Sequence, residues 1–454
     1  MTATRHTDSD PTATGLDTGP LDLVGVGFGP GNLGLAIAAA EQPAPLRAQF
    51  LERQDRFGWH RGMLIPEARM QVPFVKDLAT VRNPTSGFGF LSYLAEQGRM
   101  VDFLNRQTFF PTRLEYHDYL SWAAQRFDDV VDYGSEVVEV GPSERREGDD
   151  GPVLDIVSRR GGRTVLHRAY AVVIATGLQP HLPPGVTVGE RVWHNCDLVP
   201  NVARLRAGGS APRRFVVVGA GQSAAESVEF LHRTFPDAGV DAVFDRWGFS
   251  PADDSAFANR VFDPDAAHDF HRSPPHVRSR IVERHRNTNY AVVEPDLIES
   301  IYEKHYAELV GGNVRLRFHQ MSRVEEVNPT AGGVAVTVGS GVKSSRTVID
   351  ADAIVYATGY RSGDPGRFLR GVTPCRDEQG GIGIGADYRL ILEGTEAPVY
   401  VQGATEHTHG LGSTLLSNIA VRTGEIIDSI VEHRLGWTAR PARRQMTGSR
   451  GLNG

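Results

Sequence analysis

A glycine-rich turn and the acid that follows it carry the first chemical signal in this sequence. The turn Gly27-Phe-Gly29-Pro30-Gly-Asn32 lies between an apolar and an alanine-rich segment, and Glu52 ends the next apolar segment. Glycine lets the backbone turn sharply and approach a pyrophosphate, and an acid about 20 residues further on binds a ribose diol. Strand, turn, helix and acid together predict a dinucleotide site, although the turn alone would also fit a surface loop. Asn32 stands where the usual fingerprint has its last glycine.

A second turn of the same kind, Gly219-Ala-Gly221-Gln222-Ser223, follows the predicted strand Phe215–Val218. Two such turns predict two dinucleotides bound to one chain. The next predicted strand ends in Asp245 and Arg246, which give opposite indications. An acid suits the ribose diol of NADH, whereas an arginine suits the extra phosphate of NADPH. Both remain open, and we favour NADPH.

Residues 70–86 are too rich in proline and charge for one regular element, and they predict a long ordered loop. Loops of this length in a compact domain are often functional. Gln71 and Lys76 are its candidate functional residues. The alternative for Lys76 is an ordinary solvated surface lysine.

A polar but aromatic segment further along the chain contains Asn259 and Asn289, whose carboxamides could bind a ligand or cap turns. Spacing alone favours capping. Histidines in the same region have spacings that fit no metal-ligand pair, so we predict no metal site. These are His268, His271, His276 and His285.

Near its end the chain passes through a glycine-containing stretch, residues 406–417, into a predicted long helix with an apolar stripe. A helix start presents N–H donors and a positive dipole end, which suits the anionic position of a reduced flavin. The stripe consists of Leu415, Ile419, Ile426, Ile427 and Ile430.

Composition limits the class of protein. At 454 residues the chain is long enough for two or three domains. Its formal charge of −7 argues against a nucleic-acid partner, and no apolar run approaches the ~20 residues of a membrane span. Cys196 and Cys375 are far apart, so the sequence predicts no disulfide framework and a reducing, cytoplasmic location.

Alternating strand and helix periods predict an α/β fold with two Rossmann-like dinucleotide-binding domains and a small, largely helical insert. The strand before Ala357-Thr-Gly359 repeats the ending of the strand before Ala175-Thr-Gly177, and we interpret it as a return to the first sheet. The first domain is then discontinuous. The predicted units are a disordered lead at 1–20, the first domain at 21–185 and 350–437, the second at 186–250 and 311–349, the insert at 251–310 and a flexible tail at 438–454.

Over nearly all of residues 20–435 the sequence resembles the flavin-dependent N-hydroxylating monooxygenases, the L-ornithine N5-monooxygenase and L-lysine N6-monooxygenase family of siderophore biosynthesis. Residues 78–86 are more similar to the ornithine branch, and Gly412-Ser413 departs from the Ser-Asp of many relatives. The motifs that carry the resemblance are Gly27-Phe-Gly29-Pro-Gly-Asn32, Gln71-Val-Pro-Phe-Val-Lys76-Asp-Leu, Asn83-Pro-Thr-Ser86, Gly219-Ala-Gly221-Gln-Ser-Ala-Ala-Glu226, Asp253-Asp-Ser-x-Phe-x-Asn259, Asn287-Thr-Asn289-Tyr290, Ala357-Thr-Gly-Tyr360 and His409-Gly-Leu-Gly-Ser-Thr-Leu-Leu-Ser417.

The resemblance implies FAD in the first site, NADPH in the second and L-ornithine and O₂ as substrates. NADPH would reduce the flavin, O₂ would add to give a C4a-hydroperoxyflavin, and the neutral side-chain amine would take the distal oxygen to form N5-hydroxyornithine and water. L-lysine N6-hydroxylation, or the action of another class B flavin monooxygenase on a small amine, is the alternative. The family also implies a homo-oligomer, either a tetramer or a dimer.

The resemblance further implies roles for single residues, and it reverses the preference for a surface or capping role at three of them. Lys76, Asn259 and Asn289 become the expected catalytic and substrate-binding side chains, and Leu411 and Ser413 would line the end near the reacting nitrogen. FAD contacts are expected from Gly27, Gly29, Pro30, Asn32, Glu52, Trp59, His60, Gln71, Thr414 and Leu415. NADPH contacts are expected from Gly219, Gly221, Gln222, Ser223, Arg246, Asn289, Tyr290 and Thr358.

Three rival classes share part of this pattern. A flavin disulfide reductase needs a redox cysteine pair, which the sequence lacks. A Baeyer–Villiger monooxygenase would carry a Phe-x-Gly-x-x-x-His linker motif, but only Val192-Trp-His194 stands in its place. A nucleotide-binding sensor without catalysis would not explain Lys76 or the insert.

Overall fold

Two parallel sheets form the centre of the molecule. The computed structural model describes residues 19–209, 211–288, 290–377 and 379–438, so the predictions for residues 1–18, Asn289 and residues 439–454 lie outside the described chain. Within it each parallel sheet has five strands. The first sheet has the order Val399–Val401, Val172–Ile174, Leu23–Val26, Ala48–Glu52, Val131–Tyr133. The second has the order Leu316–His319, Gly239–Val243, Arg214–Val218, Ala353–Tyr356, Val192–His194. The predicted α/β class is confirmed.

The two halves of the chain repeat one plan. In each half, a three-stranded antiparallel sheet comes just before one strand of the parallel sheet. That strand pairs with the strand that leads into the glycine turn. A short antiparallel ladder between Leu178–Pro180 and Tyr360–Ser362 then joins the two connections between the halves. The antiparallel strands are Ser135–Pro142, Leu154–Arg160 and Arg163–Ala169 in the first half and Ser322–Pro329, Val334–Ser340 and Arg346–Ala351 in the second.

This repetition corrects one prediction. Ala353–Tyr356 pairs in parallel with Arg214–Val218 and with Val192–His194, so it belongs to the second sheet and not to the first. It is the counterpart of Val172–Ile174, and the similar Ala-Thr-Gly endings reflect equal positions in two sheets. The chain returns to the first sheet at Val399–Val401, which pairs with Val172–Ile174.

Helices cover the sheets and build most of the segment between Gly239–Val243 and Leu316–His319, which agrees with a largely helical insert. Short 3₁₀ turns at Ala258–Phe262 and Arg286–Thr288 complete that segment. The helices are α1 (Pro30–Ala40), α2 (Phe90–Glu96), α3 (Met100–Asn105), α4 (Arg113–Ala124), α5 (Leu198–Ala207), α6 (Gln222–Thr234), α7 (Pro264–Arg272), α8 (Pro275–His285), α9 (Pro295–Gly311), α10 (Glu406–His409) and α11 (Ile419–Thr438).

Helices α1 and α11 pack closely together because Gly34 leaves room for the partner helix. A Cβ on Gly34 would lie 2.4 Å from the Cγ2 atom of Ile419. The predicted apolar stripe of α11 is buried at Ile426, Ile427 and Ile430. The contact fixes the C-terminal helix against the helix that follows the first glycine turn.

A buried ion pair joins the two halves. Arg113, the first residue of α4, donates from Nη1 to Glu226 Oε2 at 2.9 Å and from Nη2 to Glu226 Oε1 at 2.8 Å. Helix α4 packs on α1, and α6, which carries Glu226, packs on the second sheet. A two-point arginine–carboxylate contact fixes orientation as well as distance, so this pair holds the two sheets in one relative orientation.

No helix in the part of the chain that the structure describes is long and apolar enough to cross a membrane. Within the same residues, no three side chains of His, Cys, Asp or Glu converge as metal ligands.

Candidate active site

The first glycine turn is shaped by a close approach between backbones. Gly27 has φ 84°, and a Cβ on it would lie 2.7 Å from the carbonyl oxygen of Ala175. By contrast, a Cβ on Gly29 would meet nothing within 4 Å. Gly29 caps α1, and Pro30 is its first residue. The turn therefore leaves open space in front of a helix start, which is the shape that a pyrophosphate requires.

The buried side chain of Asn32 stabilises this turn by hydrogen bonds. Its Nδ2 donates to the Gly27 carbonyl at 2.7 Å and its Oδ1 accepts from Gln402 Nε2 at 3.2 Å. The residue is 0% exposed, so in this conformation it would shape the cradle and not touch a ligand. A carboxamide that binds the turn thus replaces the last glycine of the usual fingerprint.

Glu52 lies where a ribose ligand is expected, at the carboxyl end of its strand beside the turn. Its Oε2 accepts from the Phe28 N–H at 2.6 Å and its Oε1 from the Gln54 N–H at 2.9 Å. A carboxylate offers about four acceptor positions, so both oxygens keep capacity for a diol.

The second turn repeats the close backbone approach of the first at its first glycine. Gly219 has φ 136°, and a Cβ on it would lie 2.4 Å from the carbonyl oxygen of Ala357. Gly221 caps α6, and a Cβ there would lie 3.3 Å from the Cα of Ala291. The carbonyl group of the alanine in each Ala-Thr-Gly motif thus lies directly against the first glycine of a turn, which explains why each turn needs glycine at that position.

The side chains of Asp245 and Arg246 lie in different surroundings. The Asp245 carboxylate is exposed and lies 3.6 Å from Arg323 Nη2. Arg246 is half-buried and donates from Nη1 to the carbonyl of Ala291 at 2.9 Å. Because Ala291 also lies against Gly221, Arg246 is on the side of the glycine turn, and an arginine there favours NADPH, with its additional 2′-phosphate, over NADH.

Arg246→Ala is expected to raise the KM for NADPH about 10- to 100-fold and to leave the KM for NADH nearly unchanged, because a charge-assisted contact to the 2′-phosphate is worth ~1.5–3 kcal/mol. Flavin reduction rates measured against both nucleotides test this. Arg323→Ala, which removes an exposed arginine paired with Asp245, is the matched control. Equal use of NADH and NADPH by the unmodified protein would contradict the assignment.

The remaining candidates near the second turn are partly engaged by the protein itself. The Gln222 carboxamide donates to Glu226 Oε1 at 3.1 Å and accepts from the Glu294 N–H at 2.9 Å, which ties α6 to the start of α9. Thr358 Oγ1 donates to the carbonyl of His181. Ser223 lies in the first turn of α6.

Trp59 and His60 lie in the loop after the strand Ala48–Glu52, and His60 contacts the link that joins the halves. Their rings meet edge to face at a centroid distance of 4.8 Å, and the His60 ring lies 6.0 Å from that of Tyr360. His60 has φ 48°, a left-handed conformation that points to a constrained loop. Gln71 is exposed in the following loop.

The predicted ordered loop is organised by Asp77. Its buried carboxylate accepts from the N–H groups of Ala79, Thr80 and Phe90 at 2.7–2.9 Å, and the last of these is the first residue of α2. Burial raises the pKa of Asp77, and these hydrogen bonds partly offset the rise. The neighbouring Lys76 is half-buried, and among the described residues its ammonium has no hydrogen-bond or ion-pair partner. Lys76 thus has a fixed backbone and a charge available to an anion.

Asn259 is exposed, and its Nδ2 donates to the carbonyl of Asp254 at 2.8 Å, as the turn-capping alternative anticipates. Its segment, Ala258–Phe262, nevertheless contacts Leu411–Thr414. The structure therefore brings these two predicted substrate segments together. Asn289 lies outside the described residues.

Tyr290 connects the insert to the stretch before α11. Its hydroxyl donates to the Glu406 carboxylate in α10, and the Arg286 guanidinium lies over its ring. Burial and this hydrogen bond raise the pKa of Tyr290. The hydroxyl therefore serves as a neutral donor.

Leu411 and Ser413 are buried in a 3₁₀ turn that precedes α11. The Ser413 hydroxyl has no hydrogen-bond partner among the described residues. Thr414 and Leu415 are half-buried. The long helix begins only at Ile419, after a further 3₁₀ turn at Leu416–Asn418, so the glycine-containing stretch lies ahead of the helix and not in its first turn.

Sequence reasoning missed two residues in this region. Arg422, in the first turn of α11, is 4% exposed and donates to the carbonyl of Ser413, and Gln402 joins Arg422 to Asn32. An arginine inside the apolar stripe of a helix was the available signal. His409 next to this turn is held neutral, because burial and nearby His271 lower its pKa to about 3.

Two parallel sheets in one chain, each with a glycine turn before a helix, define a protein that brings two dinucleotides together, the arrangement of flavin- and nicotinamide-dependent oxidoreductases. The chain belongs to the L-lysine 6-monooxygenase/L-ornithine 5-monooxygenase family, whose model matches residues 19–362.

Individual relatives agree with this family. The chain is 38% identical over 439 residues to an L-ornithine N(5)-monooxygenase of Burkholderia cepacia, covering 94% of this chain and 95% of that one. It is 35% identical over 426 residues to the L-ornithine N(5)-monooxygenase of Pseudomonas aeruginosa, covering 92% and 95%. Among solved structures, the ornithine N-hydroxylase of Kutzneria sp. 744, described with reduced FAD, NADP⁺ and L-ornithine, is 42% identical and has a TM-score of 0.87, covering 92% of this chain and 100% of that one.

Proposed function

We propose that this protein is an FAD- and NADPH-dependent monooxygenase that hydroxylates the side-chain nitrogen of L-ornithine. The observation that carries the proposal is the pair of glycine turns, at Gly29 and Gly221, in a chain similar to ornithine monooxygenases over more than nine-tenths of its length. The product would be N5-hydroxyornithine, for a siderophore or a related natural product.

The residues of the first turn fit FAD. The open space at Gly29 would receive the pyrophosphate, and Glu52 would bind the ribose with its remaining acceptor capacity. Trp59, His60 and Gln71, together with Thr414 and Leu415, would line the same cofactor. FAD, when bound, accepts a hydride and activates O₂. The protein's part is to hold and orient the reactants and to exclude water.

The residues of the second turn fit NADPH. Gly219 and Gly221 give the backbone shape, and Arg246 would meet the 2′-phosphate. Ser223, Tyr290 and Thr358 are proposed to complete the site, with Gln222 acting through the network that ties α6 to α9. The Arg113–Glu226 pair would hold the NADPH-binding half in a fixed position relative to the FAD-binding half.

The substrate would be held at both ends. We assign the Lys76 ammonium, with Asn259 and Asn289, to the amino acid's carboxylate and α-amine, and the Leu411–Ser413 segment to the end near the reacting nitrogen. Attack requires a neutral amine, whose ordinary pKa is ~10.4, so the hydroxylation rate should rise with pH. The domain bounds given above, with the first domain resuming after Tyr356, are part of this proposal. So are a cytoplasmic location and a dimer or tetramer.

Oxygen-dependent hydroxylamine formation should be measured with L-ornithine, L-lysine and shorter diamino acids side by side. L-ornithine is expected to give the most hydroxylamine per NADPH oxidised, because the relatives compared above act on ornithine. L-lysine as the better substrate would favour the alternative N6-hydroxylation. NADPH oxidation without hydroxylamine from any of these amino acids would contradict both.

A further inference from the structure

A continuous chain of buried hydrogen bonds runs from the first glycine turn to the segment before α11. The Asn32 carboxamide donates to Gly27 at 2.7 Å and accepts from Gln402 Nε2 at 3.2 Å. The Gln402 Oε1 accepts from Arg422 Nε at 3.1 Å, and Arg422 Nη1 donates to the carbonyl of Ser413 at 2.7 Å. Three side chains therefore connect the proposed FAD cradle with the proposed substrate segment.

Arg422 is an unfavourable residue for a purely structural position. It is a buried cation in the first turn of α11, where the positive end of the helix dipole opposes it. Its hydrogen bonds within the described chain go to neutral oxygens, and the nearby Glu425 carboxylate accepts from His268 at 2.8 Å. Burial of the charged guanidinium away from water lowers the pKa of Arg422. An apolar side chain would fill this place with less desolvation.

What the guanidinium provides is geometry. Its donors form a rigid planar fork that can bind two acceptors in fixed directions, here Gln402 on one side and the Ser413 carbonyl on the other. The Ser413 carbonyl accepts a side-chain hydrogen bond from this arginine, and the Ser413 hydroxyl is buried without a partner in the described chain. Arg422 therefore determines where the backbone at Ser413 lies relative to the glycine turn.

We propose that Arg422 is a positioning residue: through Gln402 and Asn32 it holds the Leu411–Ser413 backbone in register with the first glycine turn, so that loading of the cofactor cradle orders the substrate segment. The substrate part of this inference rests on the proposed function, and the cofactor part does not.

The test compares the unmodified protein with Arg422→Lys, which keeps the charge but loses the planar fork. Amide hydrogen exchange of residues 411–413, the proposed substrate segment, is measured with and without FAD. FAD is expected to slow exchange there about tenfold in the unmodified protein and to have little effect in Arg422→Lys. In the holoenzyme, Arg422→Lys should raise the KM for L-ornithine about tenfold without raising the KM for NADPH.

Gln402→Met provides a second route to the same result, because it breaks the link to Asn32 and leaves Arg422 in place. It should also remove the effect of FAD on exchange at residues 411–413. Arg434→Lys is the matched control: Arg434 lies on the same helix and pairs with Asp22 at 3.1 Å, and its variant should behave like the unmodified protein.

The outcomes separate the possibilities. A merely structural Arg422 would give a lower melting temperature and faster exchange along all of α11, with an unchanged KM for L-ornithine, and this result would overturn the proposal. The same shifts in Arg434→Lys would overturn it as well. If the unmodified protein hydroxylates no amino acid, the proposed function fails, while the effect of FAD on exchange still decides whether Arg422 links the two segments.

Discussion

Gly29→Val is expected to give a folded protein that binds no FAD and has lost all NADPH oxidation. Gly29 has an extended backbone, φ −81° and ψ −172°, and a Cβ there would meet nothing within 4 Å. Valine therefore fits the polypeptide but occupies the space where the pyrophosphate must approach the backbone. Flavin absorbance per polypeptide, measured together with circular dichroism of the purified protein, checks both halves of this expectation.

Two other glycines make the result specific. Gly189 also has open space around its Cβ position, and Gly189→Val should remain fully yellow and active. Gly27→Val should instead lower stability, because φ 84° and the Ala175 carbonyl 2.7 Å away leave no room for a side chain. A yellow Gly29→Val protein that oxidises NADPH normally would move the cofactor away from this turn.

The sequence could predict the elements that depend only on residues close together in the chain. The strand, turn and helix around Gly29 and around Gly221 follow from apolar runs and glycine spacing, and both are present as expected. The sequence pattern predicts the wrong sheet for Ala353–Tyr356, because this strand and its Ala-Thr-Gly ending have the same pattern as Val172–Ile174. Only the pairing with Arg214–Val218 distinguishes the two positions. The residues of a strand do not by themselves show which other strand it pairs with.

The polar contacts between distant segments could not be predicted for the same reason. Arg113 and Glu226 are 113 positions apart, and Gln402 and Asn32 are 370 apart. Each side chain in isolation resembles an ordinary surface residue. The replacement of a fingerprint glycine by Asn32 was visible in the sequence, but its purpose depends on the carbonyl of Gly27 and the amide of Gln402.

Lys76→Ala is expected to raise the KM for L-ornithine about 10- to 100-fold and to divert reduced flavin to hydrogen peroxide. The ammonium of Lys76 has no partner among the described residues, while Asp77 beside it fixes the loop. Its proposed partner is the carboxylate of the substrate, and loss of a charge-assisted contact costs ~1.5–3 kcal/mol, at about 1.4 kcal/mol for each factor of ten. Hydride transfer to the flavin does not involve that carboxylate, so NADPH oxidation should continue.

Measuring hydroxylamine and peroxide in the same samples decides the role of Lys76. Lys343→Ala is the matched control, because Lys343 is exposed in the hairpin between Val334–Ser340 and Arg346–Ala351, and it should hydroxylate like the unmodified protein. If Lys76→Ala keeps an unchanged KM and yield, Lys76 is a surface lysine. If it loses flavin reduction, Lys76 serves the cofactor or the loop and not the substrate. Only a raised KM for L-ornithine with continued NADPH oxidation fits a ligand of the substrate carboxylate, because the loss of the Lys76 charge then weakens substrate binding alone.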